Sequence, residues 1–478
     1  MGWPMMGSVR TVLTAIVVAA IAAVTVVSIV TLPFYSFGDG NPALILYTAL
    51  LWVLFFGAFW LVRRVPVRAA VILIVIGSVA IGGAALSGPP NTSTDSARYA
   101  WDGIVQDAGI SPYTYAPTSP HLADLRPTWL FPAPVTAADG SQHCEGSRIQ
   151  TSHEPHSKVL VCTALNRGSY PTIYPPSSEL LFAGIRVVTG PSAGYWPMQL
   201  VGLLLDFGIL AMLLVGLRRR GLDPRWAALW GWCPLVATEG ITNSHVDTLG
   251  ALLLLAATLL VSSGKPWRGG VALGAAIAAK LIPVIGAPAL LRRQPWKIVA
   301  ASIAVFLLLY VPYILASGIK VLGYLPRYLG EEGYDDGSRF ALLTTVFHGG
   351  AAIVVALVLL VILAVLVWRK TDPTNPWLGQ VVMIGLTLLI VSPRYPWYAL
   401  LLVPMIAMSG RWEWMVVPLA LTARGLDPHL TVLRSAELIA VIVIIVASII
   451  RSGPGWRGRL FAELRQPFSA PAPNETGS

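Results

Sequence analysis

Apolar runs of roughly 18 or more residues recur from one end of this chain to the other, the length an α-helix needs to cross the hydrocarbon core of a bilayer. Apolar and polar residues do not alternate along them, so they are not the strands of a membrane barrel. In order they fall at about 11–32, 42–62, 69–87, 195–217, 226–241, 246–262, 269–291, 298–316, 345–368, 377–391, 396–409, 412–424 and 433–450. Composition agrees: of 478 residues, 55% are hydrophobic and 12% charged, against about 25% charged in an ordinary soluble domain. A soluble enzyme, a disordered hub and a fibrous protein are excluded. The expected fold class is an all-α polytopic membrane protein.

Charge placement orients the spans, because Lys and Arg collect on the cytoplasmic side. The connection after the first span, Phe34 to Asn41, carries neither, whereas the next carries Arg63, Arg64 and Arg68. Arg218–Arg220 with Arg225, Lys265 with Arg268, Arg292, Arg293 and Lys297, and Arg369 with Lys370 continue the pattern. The run at 269–291 has basic residues at both ends and two prolines in its second half, so it is expected to turn near Lys280–Pro283 as two short helices. About 13–14 segments result, with both termini cytoplasmic. The expected organisation is three helices in 1–87, an extracytoplasmic loop over 88–194 containing a short apolar helix at Ser178–Val188, a helical bundle over 195–451, and a basic cytoplasmic tail over 452–478. The first run lacks a small-residue cleavage site and reads as a span rather than a cleaved signal. The net charge of +10 lies between the spans, without a basic stripe interleaved with aromatics, so no nucleic-acid partner is expected.

Chemistry-bearing residues concentrate in the expected outer connections, and long loops on a rigid scaffold usually carry function. The densest cluster is Asp95-Ser-Ala-Arg98-Tyr99-Ala-Trp101-Asp102-Gly103. On a helix over 94–108, Asp95, Arg98, Tyr99 and Asp102 share one face, with the two carboxylates about 10 Å apart along the axis. Such a set is either a structural ion pair or a base over a substrate cleft beside an orienting Arg. A second cluster holds Glu239, Asn243, His245 and Asp247; polar groups at membrane depth are costly and commonly functional, although a polar hinge or a metal site would use the same residue types. The spacing matches no strong metal motif, no metal ligand is assigned, and a divalent ion stays open, with no cofactor required. Lys280 either snorkels to the interface or serves a phosphate, and Arg394 stands in the aromatic turn Ser392-Pro-Arg-Tyr-Pro-Trp-Tyr398. Asp206 is an isolated acid within a span, and the acids at 331–336 suit either a solvated loop or the site. Of three cysteines, Cys144 and Cys162 lie in the long loop, where an oxidising exterior favours a disulfide between them.

The motifs Asp95-x-x-Arg-Tyr-x-Trp-Asp-Gly103, Gly109-Ile-Ser-Pro-Tyr-x-Tyr-Ala-Pro117 and Thr172-Ile-Tyr174-Pro-Pro176 resemble those of GT-C superfamily membrane glycosyltransferases. The resemblance is nearest to the polyprenyl-phosphate-sugar-dependent group related to the family 87 mannosyltransferases. Trp232–Asp247, Lys280–Pro283 and Ser392–Tyr398 look like that group's later motifs, so the resemblance covers about 87–405. Two departures stand out: where the group often has two adjacent acids, Asp95 is alone, and Tyr395 occupies a position often held by His.

The resemblance implies a GT-C-type bundle with a long first catalytic loop in a bacterial plasma membrane. It also implies inverting transfer of a sugar, most readily mannose, from a polyprenyl phosphate to a glycolipid or polysaccharide acceptor on the outer face. Asp95 is the expected base, with Asp102 second. Lys280, Arg394 and His245 are expected to hold the donor phosphate, and Arg98, Tyr99, Trp101, Tyr174, Glu239, Asn243 and Asp247 to surround the substrates. A lipid-linked-sugar transporter or flippase is the alternative, which would place polar groups at the midplane or in both leaflets, often with repeated halves.

Overall fold

The computed structural model describes residues 3–452 apart from 33, 35–40 and 428. The basic tail expected over 452–478, beyond Ser452 itself, and most of the connection before Asn41 therefore lie outside the described residues.

Three long helices open the chain: α1 (Trp3–Thr31), α2 (Pro42–Val62) and α3 (Val67–Ala85). Asn41 caps α2, its side-chain oxygen accepting from the Ala43 amide at 3.0 Å with Pro42 in the first turn, which satisfies a donor the helix cannot use itself. After α3 the chain leaves the bundle for a cap. There, α4 (Asp95–Asp107) is followed by two small antiparallel hairpins, β1 (Val135–Thr136) with β2 (Gln142–His143) and β3 (Gln150–His153) with β4 (Leu160–Thr163), and then by α5 (Pro176–Thr189). The hairpins are an addition to the all-helical expectation. Their strands are two to four residues long and largely polar, so no apolar alternation announces them.

A disulfide between Cys144 and Cys162 fastens the end of β2 to β4, where Cys162 pairs with Thr151. The bridge closes a segment of 18 residues, and a loop of that size is stabilised by about 3 kcal/mol. Replacing both cysteines by Ser is expected to raise amide exchange across 135–163 by two orders of magnitude while leaving the bundle helices protected. Unchanged exchange there would show that the hairpins hold themselves.

The rest of the chain forms the bundle: α6 (Trp196–Arg219), α7 (Ala228–Gly231), α8 (Asp247–Ser262), α9 (Pro266–Ala279), α10 (Pro295–Ser317), α11 (Leu325–Glu331), α12 (Gly350–Lys370), α13 (Trp377–Val391), α14 (Val403–Ser409), α15 (Val416–Leu426) and α16 (Leu430–Ser452). Among the described residues seven helical stretches are long and apolar enough to cross a membrane, or eight if the bent pair 236–242 and 247–262 counts as one. The other apolar runs behind the count of 13–14 are short or broken helices. Many of them, including Trp230, Trp232 and Leu400–Met405, are fully buried, and a segment wrapped in protein need not span 30 Å unbroken.

Lys280 ends α9 in an extended conformation and a 3₁₀ helix runs on through Ile282–Leu290, a turn at the position where proline chemistry places it. Gly270 and Gly274, four apart on α9, let that helix sit on α10. A Cβ on either would come within 2.6 Å of a backbone oxygen of Ile298 or Ser302, so only glycine permits this approach.

Candidate active site

A cavity of about 460 Å³ lies where the cap meets the bundle. Asp95 opens α4 on its wall, where negative charge complements the free amides of a helix N-terminus. Its Oδ1 accepts from Asn166 Nδ2 at 2.6 Å and its Oδ2 from the Tyr174 hydroxyl at 3.2 Å. Arg98, one turn on, donates to the backbone oxygens of Asn166, Arg167 and Tyr170. That clamp shapes the loop that presents Asn166, and Arg167 within it adopts a left-handed φ of 51°.

The second cluster is built by a helix break. Val236–Thr242 is a π-helical turn, Ser244 is left-handed at φ 50°, and α8 leaves at 109°. The extra residue in the turn and the sharp bend bring Glu239, Asn243, His245 and Asp247 together. Asn243 Oδ1 accepts from the amides of Asn91 and Thr92, and its Nδ2 donates to Thr92 Oγ1 and Glu239 Oε2. It fastens the start of the cap to the break. His245 is fully buried, with Nδ1 3.6 Å from Asp95 Oδ2 and Nε2 3.3 Å from Glu239 Oε2. Trp397 stacks on its ring with centroids 3.7 Å apart.

Lys280 reaches the same end of the bundle. Its Nζ pairs with Asp247 and stands 4.8 Å over the Tyr398 ring, while the residue still lines the cavity. Leu281, Ile282 and Leu325 give the lining apolar surface beside Lys280, and Thr92–Asp95, Ser147, Gln150 and Asn166 give it polar groups. The cavity therefore offers surface for a hydrocarbon chain and hydrogen-bonding groups for a hydroxylated ligand.

Of the residues expected at the site, Asp95, Arg98, Tyr174 and Lys280 line the cavity. Tyr99, His245, Glu239, Asn243 and Asp247 form a buried layer behind them, with the Tyr99 hydroxyl 3.5 Å from His245 Nδ1. His245 therefore faces carboxylates rather than the cavity, which corrects its expected contact with a phosphate. Trp101 packs on Phe131 in the cap core, and Arg394 is exposed and not on the cavity wall. Both are placed by local geometry: Trp101 projects from the far face of α4, and Arg394 precedes the bend that turns Tyr395 inward. Arg148 and Arg167 supply cationic wall in its place. Tyr324 and Tyr328, four apart on one face, complete it, with Tyr328 bonded to Tyr398 through their hydroxyls at 2.9 Å. Arg148, Arg167 and Tyr324 carry no motif that points to the site, because 148–167 and 324–328 come to the cavity from segments far from Asp95 in sequence.

Asp102 lies two turns along α4 on the face it shares with Asp95, buried 3.9 Å from Arg98 and beside Glu179, and it is not among the residues that line the cavity. Burial pushes its carboxyl up to about 6 against the pull of Arg98, and burial followed by the Asp102 charge raises Glu179 as well. An unfolded Asp titrates near 4. Below that pH both states hold the proton and the Asp102 contribution is whole. As pH rises from about 4 through 6 the unfolded chain releases its proton first, so stability falls. Asp102→Asn is expected to flatten this part of the melting-temperature profile between pH 4 and 7, with the Glu179 contribution remaining. An unaltered slope would place the titration elsewhere.

Fold and site together define a class: a polytopic helical membrane protein with a cap over a cavity of mixed polar and apolar lining that holds a carboxylate. The chain is related to the family 87 glycosyltransferases, whose model, "Glycosyltransferase family 87", matches residues 172–393. It is 25% identical over 283 residues to the polyprenol-phosphate-mannose-dependent alpha-(1-2)-phosphatidylinositol pentamannoside mannosyltransferase of Mycolicibacterium smegmatis, covering 56% of this chain and 64% of that one. The protein of the same name from Mycobacterium tuberculosis is 26% identical over 264 residues, covering 52% of this chain and 57% of its own. The matches thus span less than two thirds of these relatives' length. No solved structure matches the chain.

Proposed function

We propose that this protein is a membrane glycosyltransferase that moves a sugar, mannose by analogy with its relatives, from a polyprenyl phosphate to a hydroxyl of an envelope glycolipid or polysaccharide, with inversion at the anomeric carbon. The observation that carries the reading is Asp95. It is the carboxylate that reaches the cavity wall, held by Asn166 and Tyr174 in a lining that mixes polar and apolar side chains. Inverting displacement from a phosphate needs one base and no strong acid, because phosphate leaves readily. Asp95 takes the acceptor proton as the hydroxyl oxygen attacks the anomeric carbon. The bond from that carbon to the phosphate oxygen breaks, and its electron pair leaves with the polyprenyl phosphate. Lys280, with Arg148 and Arg167 on the wall, offsets the charge developing on the phosphate. The Leu281–Ile282 side takes the first isoprene units. By the charge pattern of the connections the cap and cavity face the outside of the plasma membrane and both termini the cytoplasm.

Purified protein given labelled polyprenyl-phosphate sugars and an envelope glycolipid extract tests this. Sugar transfer with inverted configuration, strongest from the mannose donor, is the expected result. Donor translocation across proteoliposomes without transfer would favour a flippase and overturn the reading.

A further inference from the structure

His245 is neither at the cavity nor idle. It lies between two carboxylates on opposite ring nitrogens, Asp95 Oδ2 at 3.6 Å from Nδ1 and Glu239 Oε2 at 3.3 Å from Nε2, with no exposed side-chain surface. Nδ1 lies on the side of Asp95 and of the Tyr99 hydroxyl, 3.5 Å away, while Nε2 is buried beside Glu239 with no hydrogen-bond partner; the tautomer protonated on Nε2 leaves the Nδ1 lone pair free to accept. The Trp397 face lies parallel to the ring, 3.7 Å away and 20° tilted, and Tyr395 stacks on Trp397 in turn.

Behind Glu239 is a second cavity of about 40 Å³, within the helices and separate from the first. Thr25, Ser28, Asn91, Thr92 and Thr238 share its wall with Glu239. Asn91 is 4% exposed and its side-chain oxygen has no partner. A chamber of this size with several polar groups is roomy enough for water, which needs ~15 Å³ of such space and two to four partners. The proposed reaction makes somewhere for a proton necessary. Its donor is a phosphodiester with one negative charge and its lipid product a phosphate monoester that approaches two at neutral pH, with a second pKa of about 6. Each turnover therefore releases close to one proton at the site.

We propose that Glu239 and His245 are the proton-receiving arm of the site: the acceptor proton taken by Asp95 passes to His245 Nδ1, and Glu239 holds the imidazolium while its Nε2 proton leaves toward the chamber that Glu239 lines. This rests on Asp95 being the base. Bond changes balance: one O–H bond of the acceptor and one C–O bond of the donor break, one C–O bond forms, and the proton goes from Asp95 through His245 to water. Glu239 touches no substrate and is a positioning residue. The other charged or titratable groups around His245 are Asp95 and Tyr99 on α4, Tyr174 from the cap, and the Asp247–Lys280 pair.

Glu239→Gln keeps the shape and the bond from Asn243 while removing the charge. It is expected to lower kcat roughly 100-fold, leave donor KM unchanged, and move the acid limb of the kcat profile to lower pH, because an imidazole without its carboxylate protonates less readily. Glu239→Asp is expected to recover much of the rate and return the limb toward its wild-type position. A purely structural role would leave that limb in place, so an unmoved limb overturns the proposal, as does a raised donor KM with kcat unchanged. Should the Gln protein not fold, the Asp protein carries the test: a partial shift of the limb supports the arm, and an unmoved limb overturns it. Asp95→Asn in the same assay separates the two readings. Normal turnover in that variant removes the base itself, whereas loss there beside a normal Glu239→Gln removes only the arm.

Discussion

Asp95→Asn is expected to lower sugar transfer at least ~100-fold, the low end of what a positioned general base contributes, with donor binding and thermal stability near those of the wild type. An amide there still accepts from Asn166 through its oxygen, and the Tyr174 hydroxyl can rotate to accept from its NH₂. The two contacts that hold Asp95 at 2.6 and 3.2 Å therefore survive, while the capacity to take a proton does not. The measurement is single-turnover transfer from labelled polyprenyl-phosphate mannose beside equilibrium donor binding. Undiminished turnover would move the base away from Asp95, and Asp102, two turns further along α4, is 2% exposed and off the cavity wall.

Lys280→Met is expected to act on stability and on donor use together. Asp247 is 7% exposed and pairs with Lys280, so the single change leaves a buried carboxylate without its counter-charge, a loss of about 3–5 kcal/mol in comparable pairs. Donor kcat/KM should fall about 100-fold as a cation near the departing phosphate is lost. Pairing the change with Asp247→Asn separates the two effects. The double variant is expected to regain most of the melting temperature but little of the donor kinetics. Recovery of both would make Lys280 a structural partner only and shift the phosphate to Arg148 and Arg167.

How far the site is legible in the sequence depends on how local its parts are. Asp95 is marked by its motif and by being the acid that opens a helix. Lys280 is marked by a helix that must turn at proline. The run from Glu239 to Asp247 is marked by polar side chains at a depth where they are costly. Their division into a cavity wall and a buried layer is not marked, because it depends on a π-helical turn and a left-handed serine whose geometry no residue pattern declares. Arg394 illustrates the converse. An Arg in an aromatic turn has the composition of a phosphate ligand, yet the turn points it outward and sends Tyr395 and Trp397 in.

The amino-acid sequence by itself determines the solvent this protein folds in, the helical class, the turn at Lys280 and the residues able to do acid–base work, since bilayer thickness, backbone hydrogen bonding and proline geometry act within a few residues of chain. Only the tertiary structure decides which apolar runs are full spans and which are short helices wrapped in protein, and that small hairpins fold into the cap. It likewise decides that Asn166, Arg167 and Tyr328 line one cavity with Asp95 across 71 to 233 residues of sequence. Those meetings depend on helix packing and on the cap closing over the bundle, where contacts between distant segments outweigh local preference.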